Sequence, residues 1–284
     1  MNRTLAACLA PAKLNLFLHV VGRRNDGYHL LQSVFQLLDF GDRLDYSARA
    51  DGRIRRLSDL PGVPPDQDLI VRAATLLQQA TGTTTGADIL LDKRLPMGGG
   101  LGGGSSDAAT TLIALNHLWK TGLTREQLMQ LGLQLGADVP FFIFGENAFV
   151  EGIGERLTPV KTPNAWFVVI EPGPAVPTPT IFRSPELTRN TKLVTMSDFS
   201  RAPFGFGKND LQTVVTGMFA PVADALDALR NFGDARMTGS GSCVFCALHS
   251  EAAANQAIAT LSGAWRVWKA KGMNRHPMSQ FIES

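Results

Sequence analysis

The chain has 284 residues, 44% of them hydrophobic and 18% charged, a globular composition that excludes a disordered or low-complexity protein. A formal net charge of +2 disfavours a dedicated nucleic-acid surface, and no apolar run approaches the roughly 18–20 residues of a membrane span. Three cysteines cannot build a disulfide framework, and an odd count fits a reducing compartment.

Leu5-Ala6-Ala7-Cys8 has the look of a lipoprotein cleavage site, but too few residues precede it for a charged region and an apolar core. A cytoplasmic protein is expected. Ala10 to Val21 alternates with a period of two and predicts a strand, with Ala12, Leu14, Leu16 and Leu18 on one face. Lys13, Asn15, Phe17 and His19 fall on the other. Two readings of Lys13 stand at this point: an edge-strand lysine at a sheet rim, or a buried charge kept for chemistry. Arg53-Ile54-Arg55-Arg56 is the densest basic cluster, and a solvated strand or loop accounts for it better than a phosphate-tracking patch. Leu69 to Leu77 has helical spacing, with Leu69, Ala73, Leu76 and Leu77 along one stripe.

Residues 96–106 read Pro96-Met97-Gly98-Gly99-Gly100-Leu101-Gly102-Gly103-Gly104-Ser105-Ser106. They lie between a strand at Asp88 to Asp92 and a helix that Ser105 and Ser106 are placed to cap. Glycines tolerate positive φ and let a backbone approach a ligand, and a helix N-terminus offers unpaired N–H groups. Together they predict a phosphate cradle rather than a flexible linker. No Lys-Ser or Lys-Thr follows the glycines, so this is not a Walker-type loop, and GxGxxG spacing fits poorly.

Thr124-Arg125-Glu126-Gln127 is a capping-box pattern opening a helix that Gly136 ends. Asp138, shortly before a proline, is expected in extended backbone, either making a turn or placing a carboxylate at the edge of a dry cleft as a general base. A second unit starts near Pro159, dividing the chain into 1–158 and 159–284. Trp166 to Ile170 predicts a buried strand that runs into the Pro-rich stretch 172–179. Asn209-Asp210-Leu211 opens a helical region interrupted around Pro221.

Met237 to Ser242, with Gly239-Ser240-Gly241, is either a simple hairpin turn or a second close approach of backbone to a nucleotide. In Ser242 to Leu248, read as a strand, Cys243 and Cys246 point to opposite faces, so the CxxC is core packing and not a metal or redox motif. A helix over Ser250 to Leu261 and a strand over Trp265 to Ala270 follow. Strands and helices mix without regular βαβ alternation, which predicts an α+β fold.

Three segments in this order resemble the motifs of the GHMP kinases: Pro11-Ala12-Lys13-Leu14-Asn15-Leu16, the 96–106 glycine loop, and the late Gly-Ser-Gly-Ser turn. Arg24 to His29, Gly136-Ala137-Asp138-Val139-Pro140, Val176 to Phe182 and Asn209-Asp210-Leu211 are similar to the branch that phosphorylates a cytidine-diphosphate methylerythritol on its 2-hydroxyl, a step toward isoprenoid precursors. The resemblance covers nearly the whole chain. It implies a two-domain architecture, an N-terminal ATP-binding and a C-terminal substrate-contributing domain, with the active site in the cleft between them.

On that resemblance Asp138 is the general base, and Lys13 orients it and stabilises charge on the attacking oxygen. The 96–106 loop carries the ATP phosphates, with Lys93 and Asp68 on the adenosine side; many relatives have Asn where this chain has Asp68. Tyr28 and Phe182 sandwich the cytosine ring, His29 hydrogen-bonds it, and Asn15 and Thr178 lie along the acceptor. Mg²⁺ is expected with ATP, and no side chain is named as its ligand. The partner is a small molecule, with neither nucleic acid nor membrane, and the oligomeric state is not legible. The competing readings are another GHMP small-molecule kinase and a non-catalytic nucleotide-binding module; an RNA-binding protein of related architecture is disfavoured by the low net charge.

Overall fold

The computed structural model describes residues 3–64 and 66–282. Two long strands organise it, β1 (Thr4–Arg23) and β2 (His29–Arg49), paired antiparallel across a tight turn in which the Arg24 N–H donates to Tyr28 O at 2.7 Å. β2 also pairs with β4 (Gly86–Asp92), β5 (Ala148–Gly152) and β10 (Arg266–Met273). β3 (Ile54–Arg56) runs parallel to β4, and β6 (Arg156–Pro159) closes on β5. Through β10 the sheet continues into β7 (Trp166–Glu171), β9 (Val244–Leu248) and β8 (Ala235–Met237). A largely antiparallel sheet with helices grouped on its faces is the expected α+β arrangement.

The simple alternation expected of β1 is interrupted. Its register against β2 shifts between Pro11 and Lys13 and again between Asn15 and Leu18. Such bulges turn the strand and re-aim side chains. Both faces of its middle are buried, and Lys13 itself is only 4% exposed. The rim-lysine reading is thereby excluded.

α1 (Leu69–Thr81) buries Ile70, Ala73, Ala74 and Leu77, a stripe rotated from the expected one because Leu69 and Leu76 are only partly covered. α2 (Gly103–Trp119) is buried almost all round, between α1 and the β1–β2 face. It starts earlier than expected: Gly102, with φ +73, is its N-cap, so Ser105 and Ser106 lie inside the first turns and do not cap it. α3 (Arg125–Leu135) forms the Thr124–Gln127 capping box and ends at Gly136 as read from sequence. α4 (Val139–Phe144) follows at once. Asp138 is its N-cap with φ −85 and ψ −13, so the backbone there is helical; the proline sits in the helix's first turn, where its missing N–H costs nothing.

In the C-terminal half, α5 (Thr178–Arg183), α7 (Gln212–Met218), α8 (Ala220–Arg230) and α9 (Glu251–Leu261) contribute to a core against β7 and β9, while the short α6 (Met196–Ser200) places Phe199 in a separate core on the other sheet face. Cys246 packs in the first of these cores and Cys243 in the other, so the two thiols do point apart; all three cysteines are free. The basic stretch of β3 is neutralised locally, by Arg55 on Asp88 at 2.7 Å and Arg56 on Asp68. After β10 the chain returns to the first half, where the His276 N–H donates to Gly145 O at 2.8 Å and Met278 enters the core beside α2. No helix among the described residues is long and apolar enough to cross a membrane.

Candidate active site

The glycine loop is held from two sides. From β1, the Lys13 N–H donates to Leu101 O at 2.9 Å. From the β8–β9 hairpin, the Cys243 N–H donates to Gly99 O at 3.1 Å and Thr238 Oγ1 donates to Gly100 O at 3.2 Å. The late Gly-Ser-Gly-Ser segment is therefore a hairpin turn and also the bed on which the loop rests. The fit leaves no room for side chains: a Cβ on Gly100 would lie 2.2 Å from Thr238 O, and one on Gly102 would lie 2.9 Å from the Phe142 ring. Both residues have positive φ, +75 and +73. Only glycine meets both demands.

Directly after the loop, the first turn of α2 presents N–H groups with no acceptor inside the helix, at the positive end of a 17-residue dipole. The loop and this turn line a cavity of about 390 Å³, which also takes in Leu60, Asp68, Leu69, Lys93 and Asp107. An apolar wall beside a bed of backbone donors suits a nucleotide, base against the first and phosphates on the second.

Lys93 reaches this cavity between two carboxylates, with Nζ 2.6 Å from Asp42 and 2.8 Å from Asp107. Burial works against its charge, but Asp107 and Asp42 outweigh burial and raise its pKa. Burial pushes the Asp107 carboxyl up, with Asp42 adding and Lys93 only partly offsetting. Asp68 lies in the cavity wall, yet both its oxygens are engaged: Oδ1 accepts the Ile70 N–H at 2.9 Å as the α1 cap, and Oδ2 pairs with Arg56. A carboxylate used as acceptor here lacks the donor N–H that an amide at the same position would present to the cavity.

A second cavity of about 300 Å³ adjoins the first and shares Gly100, Gly102, Thr178 and Ser240 with it. Thr178 and Ser240 join their hydroxyls at 2.6 Å on that boundary. Lys13, Asn15, Asp138 and Phe182 line the second cavity. Lys13 Nζ stands 3.6 Å from Asp138 Oδ2 and donates to Asn15 Oδ1 at 2.6 Å, over the face of Phe35. Asn15 in turn donates to Ser33 Oγ at 2.9 Å. Asn15 thus holds Lys13 through Oδ1 and commits one Nδ2–H to Ser33. The Asp138 carboxylate makes no capping bond although it stands at a cap position, where Pro140 has removed one of the N–H groups a cap would use. It stays turned to Lys13 and a third exposed.

Of the residues expected around the base, His29 and Phe182 meet, ring centroids 5.0 Å apart. Phe182 lines the second cavity; His29 packs on Phe182 behind that lining, and Tyr28, 62% exposed, lines neither cavity. Sequence reasoning passed over Asp42, Asp107, Ser33, Thr238 and Arg189. Each acts through contacts more than ten residues away in the chain, and local pattern carries no signal for that.

The same layout is found in known proteins. The family description "GHMP kinases N terminal domain" fits residues 68–146 and "GHMP kinases C terminal" fits residues 194–267. The 4-diphosphocytidyl-2-C-methyl-D-erythritol kinase of Herminiimonas arsenicoxydans is 65% identical over 98% of this chain and 99% of its own length. The protein of that name from Janthinobacterium sp. (strain Marseille) is 62% identical over the full length of both. A crystal structure of 4-(cytidine 5'-diphospho)-2C-methyl-D-erythritol kinase superposes with a TM-score of 0.81 at 34% identity, covering 96% of this chain and 99% of that one. With a glycine loop on a helix N-terminus, an adjoining Lys–Asp pair and relatives this similar over the whole length, the chain belongs to the GHMP kinases, in their 4-diphosphocytidyl-2-C-methyl-D-erythritol kinase family.

Proposed function

We propose that this enzyme transfers the γ-phosphoryl group of MgATP to the 2-hydroxyl of 4-diphosphocytidyl-2-C-methyl-D-erythritol, in the non-mevalonate route to isoprenoid precursors. The observation that carries the reading is the junction of two cavities, one bedded on the glycine loop and the other on Lys13 and Asp138. A donor phosphate at the end of the first would face an acceptor hydroxyl in the second.

Phosphoryl transfer asks a protein mainly for positioning and charge stabilisation. Here the loop and the α2 N-terminus hold the phosphates through backbone N–H groups. Lys13, fixed by Asn15, puts a buried positive charge beside the acceptor oxygen and Asp138. Asp138 takes the hydroxyl proton as the new O–P bond forms and the bond from the γ-phosphorus to the bridging oxygen breaks, releasing ADP, an assistance of roughly 10²–10⁴-fold in rate. Magnesium carried on the nucleotide would offset its phosphate charge.

The cytosine end is read against His29 and Phe182, whose rings meet at 5.0 Å, with Tyr28 on the neighbouring exposed turn as the ring's other partner. Residues 1–158 supply the nucleotide cavity, and 159–284 supply the α5 wall and the hairpin under the loop. Free, buried cysteines agree with a cytoplasmic enzyme. The test is direct: purified protein with ATP and Mg²⁺ phosphorylates the cytidine-diphosphate acceptor and leaves homoserine, mevalonate and galactose untouched. Preference for any of those three would overturn the acceptor assignment.

A further inference from the structure

The loop after α5 carries an arginine that neither the phosphate cradle nor the Lys13–Asp138 pair uses. The Arg189 guanidinium donates from Nη2 to Phe182 O at 2.9 Å and Ser184 O at 2.7 Å, and from Nη1 to Leu187 O at 3.0 Å. These three carbonyls lock the planar fork in one orientation. The Nε–H then donates to His29 Nε2 at 3.1 Å, across 160 residues of sequence.

A guanidinium has donors only. The nitrogen it addresses on His29 must therefore be an acceptor, which leaves the ring proton on Nδ1. No hydrogen bond holds Nδ1 among the described residues. Burial, then the charges of Arg189 and Arg23, lower the His29 pKa from its ordinary value, in keeping with a bare Nε2. Phe182, whose carbonyl Arg189 also holds, lies against the same ring.

We propose that Arg189 is a positioning residue that fixes His29 as the Nδ1–H tautomer, so that the site selects a pyrimidine with an acceptor at N3 over one with a donor there. Cytosine offers a lone pair at N3; uracil offers an N–H. With Nε2 capped by Arg189, His29 cannot switch tautomer to accept from uracil without placing two donors face to face. The inference rests on the reading that the cytidine end of the acceptor meets His29.

Two measurements test it. The first needs no substrate. Nitrogen-15 spectra of His29 in the free enzyme at pH 7.5 should show a protonated Nδ1 and a bare Nε2, and Arg189→Met should populate the Nε2–H form. A wild-type ring protonated on Nε2, or a tautomer unchanged in Arg189→Met, overturns the proposal.

The second compares kcat/KM for the cytidine- and uridine-diphosphate forms of the acceptor. Arg189→Met should lower the cytidine preference by about tenfold or more, chiefly through KM, the effect of a mismatched buried hydrogen bond. In a His29→Asn background, whose amide can donate whatever Arg189 does, the same change should leave the ratio within about twofold. Equal losses for both bases would reduce Arg189 to a strut for α5 and overturn the proposal. A wild type that ignores the cytidine acceptor overturns the substrate reading instead, and the nitrogen spectra still decide the role of Arg189.

Discussion

Lys13 Nζ lies 3.6 Å from Asp138 Oδ2 and 2.6 Å from Asn15 Oδ1, so the lysine is gripped by a neutral amide and left at a looser distance from the carboxylate. A tight ion pair would hold Asp138 down as the partner of Lys13. At the looser spacing a hydroxyl oxygen set beside the pair can reach both groups at hydrogen-bond distance.

Asp138→Asn keeps size and polarity but cannot take a proton. Turnover should fall by about 10²–10⁴-fold with the KM for ATP largely unchanged. Steady-state kinetics decide it, and activity retained within a few-fold removes Asp138 as the base.

Asn15→Ala frees Lys13 from its near partner and leaves Ser33 Oγ without the Asn15 donor. Misplacement of a charge by about 1 Å can cost about 10²-fold in rate, so kcat should fall on that order while the ATP KM moves little. A loss confined to KM of the acceptor would mean that Asn15 serves binding and not Lys13.

Gly100→Ala sets a methyl group 2.2 Å from Thr238 O at a backbone φ of +75. The left-handed conformation alone costs about 1–2 kcal/mol, and the clash forces the loop off its hairpin bed. Urea unfolding should register at least that loss, with ATP affinity falling in parallel. An unchanged midpoint and affinity would mean that the loop does not depend on the hairpin.

His276 is fully buried, and burial pushes its pKa from 6.5 down to about 3. The folded protein keeps the ring neutral where the unfolded chain begins to protonate. Its contribution to stability is thus complete above pH 6.5 and is lost as pH falls toward 3. His276→Gln carries no charge at any pH, so its thermal midpoint should drop less than the wild type's between pH 7.5 and 4. Parallel curves would place the acid sensitivity elsewhere.

Much of this site was legible because glycine, proline and capping residues act locally. Six glycines in seven positions state that a backbone must come close to something, and the Thr124–Gln127 box and Gly136 bound α3 by chemistry contained within a few residues. The same local logic misplaced two details. The serines after the glycines looked like caps, but Gly102 could adopt a left-handed cap and the helix began before them. Asp138 looked extended because of the coming proline, but a proline in a helix's first turn is compatible with a helical residue ahead of it.

By itself the sequence determined the glycine loop and the α+β mixture of elements, since both rest on short-range backbone chemistry; it left Lys13 and Asp138 with two readings each, and their roles came only from the resemblance to the GHMP kinases. Only the tertiary structure decided that Lys13 is buried and aimed, that Asp42 and Asp107 share Lys93, that the Thr238 hairpin supports the loop, and that Arg189 faces His29. Apart from the Lys13–Asn15 bond, those relations join residues from 14 to 160 positions apart. Their existence depends on how β1 bulges, how β2 gathers four partners and how β10 crosses between the halves, geometry that no local pattern encodes.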